Sequence, residues 1–202
     1  DTNERTQFNL NNSAPQNIDL GYWSVLFERL RDHIKEGFRL EVSSEIPIGA
    51  GLSTSAAVSI GFIKVMNEVY ELGLSNYEIA ELAFLGENHD LGIQCGRLDQ
   101  YTEAFGGVVF IHTDENPRVE HLDVKELPIV VGDSQEERKA ASVLNRIKNQ
   151  IKEREPKTLE AFKTIEHCVH EAKKALLKED YARLGELMDL QQQQELKLNA
   201  HT

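Results

Sequence analysis

A chain of 202 residues with 40% apolar side chains is long enough for one large domain or two small ones, and apolar enough to build a core. Its net charge of −12 and pI of about 5.1 argue against nucleic acid as a partner, which calls for a basic face, and against a basic membrane patch. No uncharged apolar run approaches the roughly 20 residues that span a bilayer, and Cys95 and Cys168, far apart, make a poor disulfide framework, so the sequence predicts reduced thiols in a cytoplasmic protein.

Asp1 opens the chain without methionine or a visible signal peptide, and Asn199 to Thr202 close it in or just after a helical stretch, so the expectation is part of a longer protein. Residues 1–16 are polar and read as a loop. Between Asn17 and Glu36, Trp23, Leu26, Phe27, Leu30 and Ile34 recur at helical spacing, and Gly37 ends that helix. Phe38, Leu40 and Val42 then alternate with Arg39, Glu41 and Ser43 as in a half-buried strand. After a glycine-serine loop, Ser55 to Leu72 reads as a helix buried on most of its surface. Ser75-Asn76-Tyr77-Glu78 is a capping box opening a further helix to about Glu87.

Gly96 to Phe105 reads as a short helix stopped by Gly106-Gly107. Strands are expected at Val108 to His112, Val119 to Val124 and Leu127 to Val131. From Gln135 onward the pattern is helical, with breaks near Pro156 and Lys178 to Asp180, and a soft domain boundary falls near residues 125–135. Gln191 to Gln194 reads as a solvated helix face. The fold class is α+β: a mixed sheet with helices, then a helical second half. His167 and His170 share a helix face but no third ligand follows at useful spacing, so the pair reads as structural. Cys95 reads as a packed residue, and His89, Asp90 and His112 as ordinary polar positions.

The loop Pro47-Ile48-Gly49-Ala50-Gly51-Leu52-Ser53-Thr54-Ser55 leaves two readings open from its residues alone. One is a glycine turn with a serine N-cap. The other is a phosphate cradle, since glycines admit close approach of a ligand, the first amides of a helix lack partners, and its dipole is positive there. A Walker loop would need a following lysine, and a dinucleotide fingerprint a third glycine where Thr54 stands. Downstream, Glu87 and Asp99 fall at the end of one helix and the start of the next, where a loop can bring both carboxylates to one pocket. By sequence alone each of the 34 acids is most often a surface group.

Pro47 to Ala57 resembles the second motif of the GHMP kinases (the galactokinase, homoserine kinase, mevalonate kinase and phosphomevalonate kinase superfamily), usually Pro-x-Gly-x-Gly-Leu-Ser/Gly-Ser-Ser-Ala-Ala, with Thr54 replacing a serine. Cys95-Gly96-Arg97-Leu98-Asp99-Gln100, with Glu87 upstream, is similar to the galactokinase segment that carries a Mg²⁺-binding Glu and a catalytic Asp. The resemblance implies an ATP- and Mg²⁺-dependent kinase acting on a hydroxyl of a small molecule, galactokinase-like with a sugar acceptor. Mevalonate kinase or another GHMP kinase is the enzymatic alternative, and a catalytically silent ligand-sensing or partner-binding homologue the alternative of a different class.

By the same resemblance Pro47, Gly49, Ala50, Gly51, Leu52, Ser53, Thr54 and Ser55 bind the ATP phosphates, Ser55 and Glu87 hold Mg²⁺, and Asp99 is the base or electrostatic anchor for the acceptor hydroxyl. It further implies a ribosomal protein S5 domain 2-like N-terminal domain over residues 1–130 and the helical start of the GHMP C-terminal domain over 131–202. Ile129 to Ser134, with Arg138, Lys139 and Ser142, resembles the strand-to-helix stretch after the Asp motif. The family's first motif (Pro-Gly-Arg-x-Asn-Leu-x-Gly-Glu-His) and its glycine-rich third motif do not occur in these residues, and are expected beyond the two ends. The expected partners are ATP and the small-molecule acceptor, with no nucleic acid and no membrane; a homodimer stays open.

Overall fold

The structure, a computed structural model, describes residues 21–47, 49–114, 116–132 and 140–198. The expectations for residues 1–20 and for 133–139 lie outside it. The chain forms two compact units, one holding the residues up to Gly106 with 113–118, the other 107–112 and the residues from Val119 onward.

In the first unit, α1 (Gly21–Leu30) runs into a 3₁₀ turn at Arg31–His33. Its buried Leu26, Phe27 and Leu30 recur at helical spacing and face α2 (Thr54–Val69), which buries Ile60, Phe62, Ile63 and Met66. The far side of α2 departs from the expected near-complete burial: Val65 and Val69 are exposed, Val69 by 62%, because no described element covers that face. α3 (Asn76–Leu85) starts at the predicted capping box, with both reciprocal bonds formed. Helical winding continues past Leu85 as a π turn, Gly86–Asp90, in which Leu91 N–H reaches back five residues to Gly86 C=O at 3.1 Å. A Cβ on Gly86 would lie 2.8 Å from Leu26 Cδ2, so glycine lets this turn press against α1. α4 (Leu98–Phe105) packs on α2 and α3, with Lys64 Nζ donating to Ala104 C=O at 2.8 Å near its C-terminus.

The predicted strand at 38–42 does not form a ladder. A strand is completed by hydrogen bonds to a neighbour, and the one sheet among the described residues joins only β1 (Val109–His112) to β2 (Arg118–His121). Phe38 instead tethers the segment through rings, with centroids 6.3 Å from Phe27, 6.4 Å from Phe62 and 6.5 Å from Tyr70. The expected mixed sheet of the N-terminal half is therefore reduced, among the described residues, to this hairpin.

The second unit carries the hairpin and three helices, α5 (Ala140–Lys152), α6 (Pro156–Leu177) and α7 (Tyr181–Lys197). Pro156 stands at the start of α6, where its missing N–H costs nothing, and Asp180 caps α7 by accepting from Arg183 N–H at 3.0 Å. Ala161, Cys168 and Ala175 repeat every seven residues along α6 and are buried, as are Leu187 and Gln194 along α7, so the two helices meet along a narrow seam. The solvated-face reading of the glutamine run holds for the exposed Gln192 and Gln193 and fails at Gln194, which is buried and whose Oε1 accepts from Lys197 Nζ at 3.0 Å. The predicted strand at 127–131 is likewise absent. Val130 is 99% exposed, and an apolar run without a neighbouring strand gains nothing from extension. No helix among the described residues is long and apolar enough to cross a membrane.

Candidate active site

The sequence-predicted residues all fall in the first unit, in the loop before α2 and its first turn, in the π turn and in α4. Gly49, Gly51 and Ser53 have left-handed φ of 78°, 75° and 55°, while Ala50 and Leu52 between them do not. Alternation of this kind turns successive amides toward one side and forms a concavity suited to anions. Thr54 Oγ1 donates to Pro47 C=O at 3.3 Å and closes the base of the loop. Leu52 is exposed.

Ser53 occupies the N-cap of α2 without making a side-chain capping bond. The first helical turn closes with Ala57 N–H on Ser53 C=O at 3.0 Å, so the amides of Thr54, Ser55 and Ala56 stand ahead of the intrahelical ladder. The serine-cap reading of the loop is therefore not what the side chain of Ser53 does.

Ser55, in the first turn of α2, acts on the Tyr22 phenol of α1. Burial raises Tyr22 above its ordinary pKa, the charge of Glu87 adds to the rise, and the Ser55 hydroxyl opposes it. Glu87 sits in the π turn and is only 5% exposed. Gln100 Nε2 donates to its Oε2 at 2.6 Å. Asn88 Nδ2 donates to Cys95 C=O at 3.1 Å and to Ile93 C=O at 3.3 Å, which folds the connection back over the turn.

Asp99 lies exposed in the first turn of α4. Burial pushes the Cys95 thiol above its ordinary pKa, with the charge of Glu87 the next cause and that of Asp99 the smallest, so both carboxylates bear on one sulfur. Glu87 and Asp99, predicted from separate stretches, thus both act on the Cys95 thiol, Glu87 also acts on the Tyr22 phenol, and Gln100 is bound to Glu87.

Two braces fix the π turn and the start of α4. Arg29 pairs with Asp90 at the end of the π turn, its Nη2 2.8 Å from Oδ1, and holds the turn to α1. Arg97 binds Glu81 on α3 through two bonds of 2.9 and 2.8 Å and lies 4.1 Å over the Phe84 ring, while Tyr101 Oη donates to Glu81 at 3.1 Å. The Arg97 bond holds Glu81 below its usual pKa, and burial with the Glu81 charge pushes Tyr101 up to about 12. Sequence reasoning gave no role to Tyr22, Gln100 or Arg97. Gln100 follows Asp99 directly in the quoted motif, a signal that was present; Tyr22 carries none, since its contact spans two helices.

Residues 21–107 match the family described as GHMP kinases N terminal domain. The D-glycero-alpha-D-manno-heptose 7-phosphate kinase of Campylobacter jejuni is 30% identical over 93% of this chain and 58% of its own length. Galactokinase of Pyrococcus furiosus is 34% identical over 55% of this chain and 33% of its own length. In fold, the chain is similar to L. major mevalonate kinase, solved with R-mevalonate, at a TM-score of 0.61 and 19% identity over 89% of this chain and 56% of that one. The chain thus spans 58% or less of each of these relatives. The glycine loop, the start of α2 and the π turn all lie inside residues 21–107, the part of the chain that is a GHMP kinase N-terminal domain.

Proposed function

We propose that this chain is the nucleotide-binding part of an ATP-dependent kinase that transfers the γ-phosphoryl group to a hydroxyl of a sugar. The observation that carries the reading is the start of α2, whose leading amides stand ahead of the intrahelical ladder and follow an alternating left-handed loop. Pro47, Gly49, Ala50, Gly51, Leu52, Ser53 and Thr54 line the path of the phosphates. A sugar acceptor is supported by the heptose phosphate kinase, a relative matched over 93% of this chain.

Magnesium fits the residues present. Among the described residues no three His, Cys, Asp or Glu side chains gather into an all-protein cage, and Mg²⁺ does not call for one: it takes one or two carboxylates and completes its shell with phosphate oxygens and water. The hydroxyl of Ser55 and the buried carboxylate of Glu87 are hard oxygen donors of that kind. When bound, the ion neutralises charge on the phosphates.

The chain's own residues do the rest. The loop amides position the phosphates, and the acceptor hydroxyl attacks the γ-phosphorus as its bond to the β-phosphate oxygen breaks. The hydroxyl proton passes to Asp99, which is exposed and so able to meet an acceptor.

The test is ADP formation by the full-length protein with ATP, Mg²⁺ and, in turn, a heptose 7-phosphate, galactose and mevalonate. Turnover with a sugar is the expected result; turnover with mevalonate alone overturns the sugar assignment. ATP binding without turnover on any acceptor points to a silent ligand-sensing relative. Asp99→Asn is expected to lower transfer by about 100-fold or more with ATP binding retained. Transfer near the wild-type rate would remove Asp99 from its role.

A further inference from the structure

We propose that Gln100 is a positioning residue for Glu87, holding its carboxylate as a fixed anionic ligand for the divalent cation that accompanies the nucleotide. The inference rests on the reading of Glu87 as a metal ligand.

Gln100 is 1% exposed, and its amide nitrogen lies 2.6 Å from Glu87 Oε2. The amide orientation follows from chemistry, because a carboxylate accepts only and the opposite flip would set two acceptors against each other. The other end of the amide is informative too. Gln100 Oε1 is buried with no hydrogen-bond partner among the described residues. A buried acceptor left unpaired is unfavourable, so the side chain is not there for its oxygen. What the amide contributes is the donor, aimed at Glu87.

Both partners are immobilised by their helices. The residue at the N-cap of α4, Arg97, is bound through two bonds to Glu81 on α3, and α3 runs without a break into the π turn that carries Glu87. Just beyond that turn Ile93 N–H donates back to Glu87 C=O at 3.0 Å. Rotation of the Glu87 side chain away from its present direction would leave the buried Gln100 amide nitrogen only the weak acceptor Cys95 Sγ, 3.9 Å away, among the described residues. The carboxylate is therefore set before any cation arrives, and groups that orient a ligand in this way affect metal affinity strongly.

Manganese serves as a spin probe. Free Mn²⁺ is followed by electron paramagnetic resonance as it is titrated into the full-length protein with saturating ADP. Gln100→Met keeps length and volume and removes the donor. It is expected to weaken Mn²⁺ binding about tenfold, to leave metal-free ADP affinity unchanged, and to lose turnover that returns as Mg²⁺ is raised. Gln100→Asn, which keeps an amide but draws it back by one methylene, is expected to do the same and stands in should the methionine variant not fold. Wild-type Mn²⁺ affinity in a folded variant overturns the inference. Glu87→Gln separates the two levels: if it too leaves Mn²⁺ affinity unchanged, the metal reading falls. If it weakens binding while the Gln100 variants do not, only the positioning role falls.

Discussion

Two neighbouring helices of the first unit begin after a serine, and the two serines behave differently. Ser75, extended at φ −74°, accepts from Glu78 N–H while the Glu78 carboxylate accepts from Ser75 N–H at 2.8 Å and Ser75 Oγ at 2.7 Å. Ser53, left-handed at φ 55°, makes no capping bond. The start of α3 is thus satisfied from within, and the start of α2 keeps its leading amides for something else. Both helices have to bury an apolar face, but a helix start that binds a ligand cannot also be closed by its own side chain. The residue type is the same; the backbone leading into it decides which use is made of the helix end.

The comparison breaks most visibly at Gly51. Its φ of 75° admits glycine and strains a β-branched residue, so Gly51→Val is expected to cost about 1–3 kcal/mol in stability and to remove most of the ATP affinity; equilibrium unfolding and nucleotide titration measure the two. Ser75→Ala comes next. It is expected to destabilise by about 1 kcal/mol in chemical denaturation and to leave ATP affinity unchanged, since its cap serves only α3.

Acid sharpens the contrast further. The bonds from Ser75 hold Glu78 below its usual pKa. A carboxylate depressed in the folded state contributes stability above its unfolded pKa, about 4.3, and that contribution disappears as pH falls through the lower folded value. The melting temperatures of wild type and Glu78→Gln are therefore expected to differ at neutral pH and to converge below about pH 4. The smallest effect belongs to Ser53→Ala. With no cap bond to lose, it is expected to change stability by less than about 0.5 kcal/mol; a loss as large as that of Ser75→Ala would mean that Ser53 is an ordinary cap.

What was legible in the sequence was local. The Ser75–Glu78 box is a bond between residues three apart, and the Leu26, Phe27, Leu30 spacing encodes a face that any partner helix can cover. The loop from Pro47 to Ser55 is contiguous, so its residues could be named before its shape was known. Strands at 38–42 and 127–131 were misread because alternation specifies which side would be buried, not whether a neighbour exists to pair with. The π turn depends on Gly86 meeting Leu26 across 60 residues of chain, and Ser55 meets Tyr22 on another helix; neither leaves a periodic trace. Gln194 was misplaced because a polar side chain on a seam is betrayed only by its helix partner.

Trp23 follows Tyr22 on α1 and is the one tryptophan in these 202 residues. It lines a groove of about 320 Å³ together with Ala57, Val58 and Gly61 from the first half of α2 and Leu40, Val42, Ser44 and Ile46 from the unpaired segment. Its indole Nε1 is buried without a hydrogen-bond partner among the described residues. The molecule therefore carries an optical reporter in a groove shared with the first half of α2, and its emission on excitation near the red edge of indole absorption is expected to report on that part of the helix without any label.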